Sequence, residues 1–126
     1  MELPTATTPE AAADSDLYVS SRTEDFSDLA DKGFVYLAKI NVDGPYFDTW
    51  AARLVAPLDE AKSADVHVIS QGKSGAFGGV VRLHCEAHTV SWKRAGWENV
   101  GRLTSDEAAE AVHADVIEAV IRRFCQ

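Results

Sequence analysis

A chain of 126 residues, 46% hydrophobic and 25% charged, can bury one core but not two, which excludes a second domain of ordinary size. Twenty acidic residues against twelve basic ones give a formal net charge of −8, of which −6 falls in residues 1–33 and −2 in the remaining 93. A near-neutral body behind an acidic front argues against direct nucleic-acid binding, which needs clustered Lys and Arg to neutralise phosphates, and it permits a protein partner with a basic surface.

No stretch approaches the ~20 apolar residues of a membrane span, and residues 1–15 lack the basic and apolar regions of a signal peptide. A cytoplasmic setting is therefore expected. Cys85 lies in a β-type run and Cys125 beside the last residue, a spacing that fits neither a disulfide framework nor a metal knuckle. Both are read as structural thiols that behave as small hydrophobes.

Residues 1–15 mix Ala, Thr, Pro, Glu and Asp without a period and are expected to be a disordered tail. Residues 16–126 form the single domain. A short strand is expected at Leu17–Val19, then a short helix that Thr23 caps, with Phe26 and Leu29 on one side and Gly33 as its stop. Phe34 to Val42 is rich in aromatic and β-branched residues and ends at Asp43-Gly44-Pro45, which predicts a strand closed by a turn.

The next segment has two readings. Phe47, Trp50, Ala51, Leu54, Val55 and Leu58 share one face of a helix that Pro45 would start and Pro57 would end. The rival is a strand paired back on 34–42, using Tyr46, Trp50 and Leu54, but it places Asp48 on the same face. The count favours helix.

Asp65 to Ser70 reads as a strand and Gln71 to Gly75 as a loop. A further strand follows Gly78-Gly79, where Val81, Leu83 and Cys85 share one parity. The apolar positions beyond, Val90 and Trp92, have the other parity, so a turn or bulge is required near Glu86-Ala87-His88. A second turn at Lys93-Arg94-Ala95-Gly96 would lead into Trp97 to Leu103. Thr104-Ser105-Asp106-Glu107 is a capping box. It opens a helix whose stripe of Ala109, Val112, His113, Val116, Ile117, Val120, Ile121 and Phe124 suits a sheet beneath it or a second copy in a homodimer. The fold class is α+β: an antiparallel meander of four to five strands packed by a C-terminal amphipathic helix, with one or two shorter helices in the N-terminal half.

Few residues invite chemistry. His84, Glu86 and His88 tempt a metal assignment, but on a straight strand the two histidines stand roughly 13 Å apart at ~3.3 Å per residue. Gly72-Lys73-Ser74 resembles the end of a phosphate loop, yet no helix follows to hold the phosphate. No nucleophile elbow occurs, no catalytic residue is assigned, and no cofactor is expected. Trp92 and Trp97 bracket a basic turn containing Arg94, and aromatics and Arg are the residues that most often anchor partners, though large aromatics more often fill cores. The expected function is thus that of a small acidic, non-enzymatic binder, an inhibitor, immunity, anti-defence or regulatory factor. It would present Glu24, Asp25, Asp28 and Asp31 to a basic partner. The alternative is a small-ligand site or enzyme pocket between sheet and terminal helix, lined by Tyr36, His88, Trp92 and Trp97.

Overall fold

The computed structural model describes residues 32–56, Glu60 and residues 62–125. The expected tail over 1–15, the strand at 17–19, the helix starting at Thr23 and the acidic quartet Glu24, Asp25, Asp28 and Asp31 lie outside them. The described chain is an antiparallel meander of six strands in sequence order: β1 (Val35–Asp43), β2 (Tyr46–Ala56), β3 (Ser63–Gly72), β4 (Phe77–His84), β5 (Thr89–Trp97) and β6 (Gly101–Leu103). Two helices follow, α1 (Ser105–Ala111) and α2 (Ala114–Phe124). The strand count therefore exceeds the expected four to five.

The favoured helix over 46–58 is corrected by β2, which pairs with β1 on one side and β3 on the other. Gly44, with φ +56°, and Pro45 make a two-residue hairpin between the paired Asp43 and Tyr46, which brings the second strand straight back along the first. Asp48 is the residue that disfavoured a strand, and it is only 5% exposed. Its Oδ1 accepts the Ser74 backbone N–H at 2.9 Å, so this buried carboxylate closes the β3–β4 turn and is not stranded in apolar surroundings.

Residues directly opposed in an antiparallel pair project to the same side, and the register therefore sorts the sheet into two faces. One face runs Ala52–Val68–Gly79–Ala95–Leu103 in a single row and Leu54–Val66–Val81–Trp92 in the next. This face carries the main core, together with Trp50, Phe77, Leu83 and the helical Ala108, Val112, Val116 and Val120. The Phe77 ring meets Trp50, Trp92 and Trp97 at 5.2–5.8 Å between centroids, spacing at which tilted and edge-on aromatic pairs attract. Gly79 leaves the room these rings need, because a Cβ there would stand 2.6 Å from the Trp92 ring.

The expected turn at 86–88 is present: residues 85–88 connect β4 to β5, with His88 at φ +59°. The expected turn at 93–96 is not, because β5 passes straight through it. The β4–β5 register instead slips between Val80 and Val81, with Val80 opposite Arg94 and Val81 opposite Trp92. Lys93 is the extra residue of this bulge, and it lets Trp92, Ala95 and Trp97 reach the same core face despite their mixed parity.

The terminal helix is divided. The capping box is formed, Thr104 Oγ1 accepting from Glu107 N–H and the Glu107 carboxylate from Thr104 N–H. The first helix then stops at Val112, whose ψ of 121° is extended. His113, expected on the apolar stripe, is instead the exposed N-cap of α2, with its Nδ1 accepting the Asp115 N–H at 3.0 Å. Breaking there lets each short helix present its own buried residues, Ala108 and Val112, then Val116, Val120 and Ile121. Ala108, Val112, Val116 and Val120 close onto this chain's own sheet as part of the main core.

The two cysteines form a disulfide across 40 residues, Cys85–Cys125, with Cα atoms 5.4 Å apart, which corrects the reading of both as thiols. It ties the β4–β5 turn to the end of α2, and His88 Nε2 lies 3.3 Å from Glu118 Oε2 beside it. Closing a loop of this length in the unfolded chain is worth about 4 kcal/mol by the chain-entropy estimate. Reduction, or the Cys85→Ser/Cys125→Ser variant, is expected to lower the urea midpoint by a corresponding amount while leaving far-ultraviolet circular dichroism native at low urea. An unchanged midpoint would contradict the crosslink.

Candidate functional site

Beyond the core face, the register assembles what linear charge counting missed. Arg53 opposes His67, His67 opposes Val80 and Val80 opposes Arg94, so these four stand in one row across β2 to β5 on the side away from the helices. The neighbouring row ends in Gly78, Gly96 and Arg102. Lys39 belongs to the same side through Thr49. Arg82 opposes Asp65, and Lys93 reaches round the bulge so that its Nζ lies 3.0 Å from Asp65 Oδ2. Lys39, Arg53, Arg82, Lys93, Arg94 and Arg102 thus share one sheet face on which Asp65 is the acidic strand residue. The helical layer on the other side exposes Asp106, Glu107, Glu110, Asp115 and Glu118 beside Arg122 and Arg123. The near-zero charge of the body thus combines a cationic sheet face with acidic residues on the helices and elsewhere in the chain.

Asp65 holds the basic face together. It is 7% exposed, and it accepts Arg82 Nε at 2.9 Å, Arg82 Nη2 at 3.3 Å and Lys93 Nζ at 3.0 Å. Burial pushes its carboxyl up, but the hydrogen bonds and charges of Arg82 and Lys93 outweigh that and hold it below the ordinary 3.8. Beside this triad the face is apolar: Phe34, Ala51 and Ile69 form a second small core. The Phe34 ring stands edge-on to His67 at 5.2 Å, and the Arg53 guanidinium covers Phe34 at 4.7 Å.

The two tryptophans expected at a binding surface take the core reading. Trp92 is 8% exposed and packs on Phe77, and Trp97 is half-buried against the same core. Between them Arg94 projects to the opposite, basic face. The histidines do not converge: His84 Nε2 lies 3.0 Å from Ser91 Oγ, His88 pairs with Glu118, and Glu86 is exposed in the turn. Among the described residues no group of three or more His, Cys, Asp or Glu is placed to hold a metal ion. Likewise no helix there is long and apolar enough to cross a membrane.

Two features remain. Tyr36, Val42, Tyr46, Phe47, Leu54 and Val55 on the β1–β2 pair are 40–56% exposed, with Lys39 Nζ 4.2 Å from the Phe47 ring centre and Lys73 Nζ 4.4 Å from that of Tyr46. An open groove of about 250 Å³ lies between β1 and α2, lined by Tyr36, Leu37, Ala119, Arg122 and Arg123. Of the residues expected to line a pocket there, Tyr36 does so; His88, Trp92 and Trp97 do not. Comparison with protein-family models, curated proteins and solved structures finds no match for this chain.

Because the folded Asp65 carboxyl titrates below its unfolded value of 3.8, its contribution is fully present above that pH and is lost as pH falls through the depressed value. Asp65→Asn is expected to cost on the order of 1–3 kcal/mol at pH 7, reduced from a fully buried pair because both cations are partly solvated. It should also flatten the loss of stability between about pH 4 and pH 2. Urea midpoints across that range check both; an acid slope equal to wild type would show that Asp65 is not the group responsible.

Proposed function

We propose that this protein is a non-enzymatic interaction module that docks a protein partner through the β1–β2 hairpin, with the acidic residues Glu24, Asp25, Asp28 and Asp31 steering a partner of basic surface. One observation carries the reading. Six of the seven large apolar side chains that stand exposed among the described residues lie on that hairpin, Tyr46 and Leu54 on the helix side of the sheet and Phe47 on the other, and a partner that grips the hairpin from both sides would cover apolar surface of the kind that marks interaction sites. Aromatic side chains with lysines laid across them supply contact area at small entropic cost. The acidic stretch adds long-range attraction and selectivity for a basic surface. An inhibitor, immunity, anti-defence or regulatory factor is the kind of protein that works this way. The Cys85–Cys125 disulfide weighs against the cytoplasmic setting expected from the sequence, since such bonds persist in oxidising compartments.

A second reading has one observation in its favour. The groove between β1 and α2 offers two arginines beside Tyr36, a combination suited to a small anionic ligand. Its volume of about 250 Å³ falls below the ~300–1,000 Å³ typical of ligand pockets, which favours the binder.

The two surfaces separate in a pull-down with wild type, a Glu24→Gln/Asp25→Asn/Asp28→Asn/Asp31→Asn variant and a Tyr46→Ser/Phe47→Ser variant, each verified as folded. The same recovered protein is expected to fall at least tenfold, ~1.4 kcal/mol, with either variant, and the first loss alone should be mimicked by raising salt. Undiminished recovery with both variants would remove this function.

A further inference from the structure

We propose that the Cys85–Cys125 disulfide is a redox switch: reduction by an external dithiol leaves the sheet and core standing, frees the last turn of α2, and loosens Arg122 and Arg123 from the groove beside β1. The switch stands apart from both functional readings. It also goes beyond stabilisation, because a crosslink that acts only by constraining the unfolded chain leaves motion in the native state unchanged.

The position of the bond carries this. Burial falls off along α2: Val116 and Val120 are fully buried and Ile121 is 5% exposed, whereas beyond Ile121 no side chain of the helix is buried, Arg122 and Arg123 being exposed and Phe124 half-buried. The bond to Cys85 thus falls one turn past the last side chain that the core encloses. Its neighbour, the His88–Glu118 contact, joins side chains that are 61% and 55% exposed, and an ion pair so solvated adds little. Opening the bond therefore removes the covalent hold on one turn, while Val116, Val120 and Ile121 keep the rest of the helix seated. That same turn supplies Arg122 and Arg123 to the groove that they line with Tyr36, Leu37 and Ala119.

The bond can be reached and remade. Both cysteines are only half-buried, and Glu86, Ala87 and His88, which follow Cys85, are exposed, so a small thiolate approaches without unfolding the sheet. The chain has two cysteines, so reoxidation within one molecule has a single pairing and nothing to scramble with. One thiolate of the dithiol attacks one of the two Sγ atoms, forming a mixed disulfide and releasing the other cysteine as a thiolate that takes up a proton. The second sulfur of the dithiol then displaces the protein sulfur. The reductant ends as a disulfide, and two electrons and two protons have passed to Cys85 and Cys125.

Backbone order parameters from nitrogen relaxation test this on the full chain, oxidised, reduced with dithiothreitol, and as the Cys85→Ser/Cys125→Ser variant. Residues Arg122 to Cys125 are expected to fall from about 0.85, the rigid value, to below about 0.6 in the reduced protein and in the variant, while Val116 and Val120 stay near 0.85. Glutathione disulfide should restore the rigid value in the reduced wild type and not in the variant. Reduction of the folded protein should proceed in proportion to dithiothreitol concentration and be unaffected by urea well below the unfolding midpoint. Unchanged order parameters in the last turn would overturn the switch and leave a purely structural crosslink. Loosening shared equally by Val116 and Val120, or reduction only where urea unfolds the chain, would overturn it as well.

Discussion

Everything in this molecule depends on the rule that opposed residues of an antiparallel pair share a face, applied at one bulge. Without the extra residue at Lys93, the strand that carries Trp92 into the core would carry Ala95 and Trp97 out of it. With the slip between Val80 and Val81, the Phe77 ring is enclosed by Trp50, Trp92 and Trp97, and Gly79 supplies the gap that Trp92 fills. The same slip sends Lys93 to Asp65 and places Arg94 in the row of Arg53 and His67. Core packing and surface charge are thus two results of one local irregularity. A sheet that satisfies its aromatic core has no freedom left in where its cations point.

The two layers divide the remaining work. The helices cover the apolar face, with Val116 and Val120 fully buried, and turn their acids to solvent. The disulfide and the His88–Glu118 contact fasten α2 to the β4–β5 turn, close to where the bulged strand begins. The opposite face is left basic at its rim and apolar at its centre. The exposed hairpin β1–β2 stands at the sheet edge, where Lys39 and register shifts near Tyr36 and Asn41 guard against open-ended strand addition. Lateral pairing is discouraged, while side-chain contact from the flank is not.

Much of the fold was legible in the amino-acid order, and the parts that were not have physical causes. The capping box at Thr104 could be read because its two hydrogen bonds are local. The turn at 86–88 followed from a parity change that no straight strand allows. Segment 46–56 misled because Trp50, Ala51, Leu54 and Val55 satisfy the helical spacing, while the strand's cost, Asp48, is relieved by Ser74, a residue distant in sequence. The long helix was divided because the sheet selects Ala108 and Val112 before the break and Val116 after it, a choice the stripe alone does not record. Neither cysteine announces its partner, since the disulfide spans 40 residues. The basic face was invisible for the same reason: its cations are dispersed from Lys39 to Arg102 and meet only through register, which a running charge count cannot see.

The most direct measurement of the central claim is the set of cross-strand backbone nuclear Overhauser contacts in the isotope-labelled protein. Contacts joining Arg53 to His67, His67 to Val80, and Val80 to Arg94, together with Val81 to Trp92, are what this register requires. Contacts placing Val80 opposite Lys93, or Val81 opposite Lys93, would remove the bulge, scatter the cations over both faces and contradict the account.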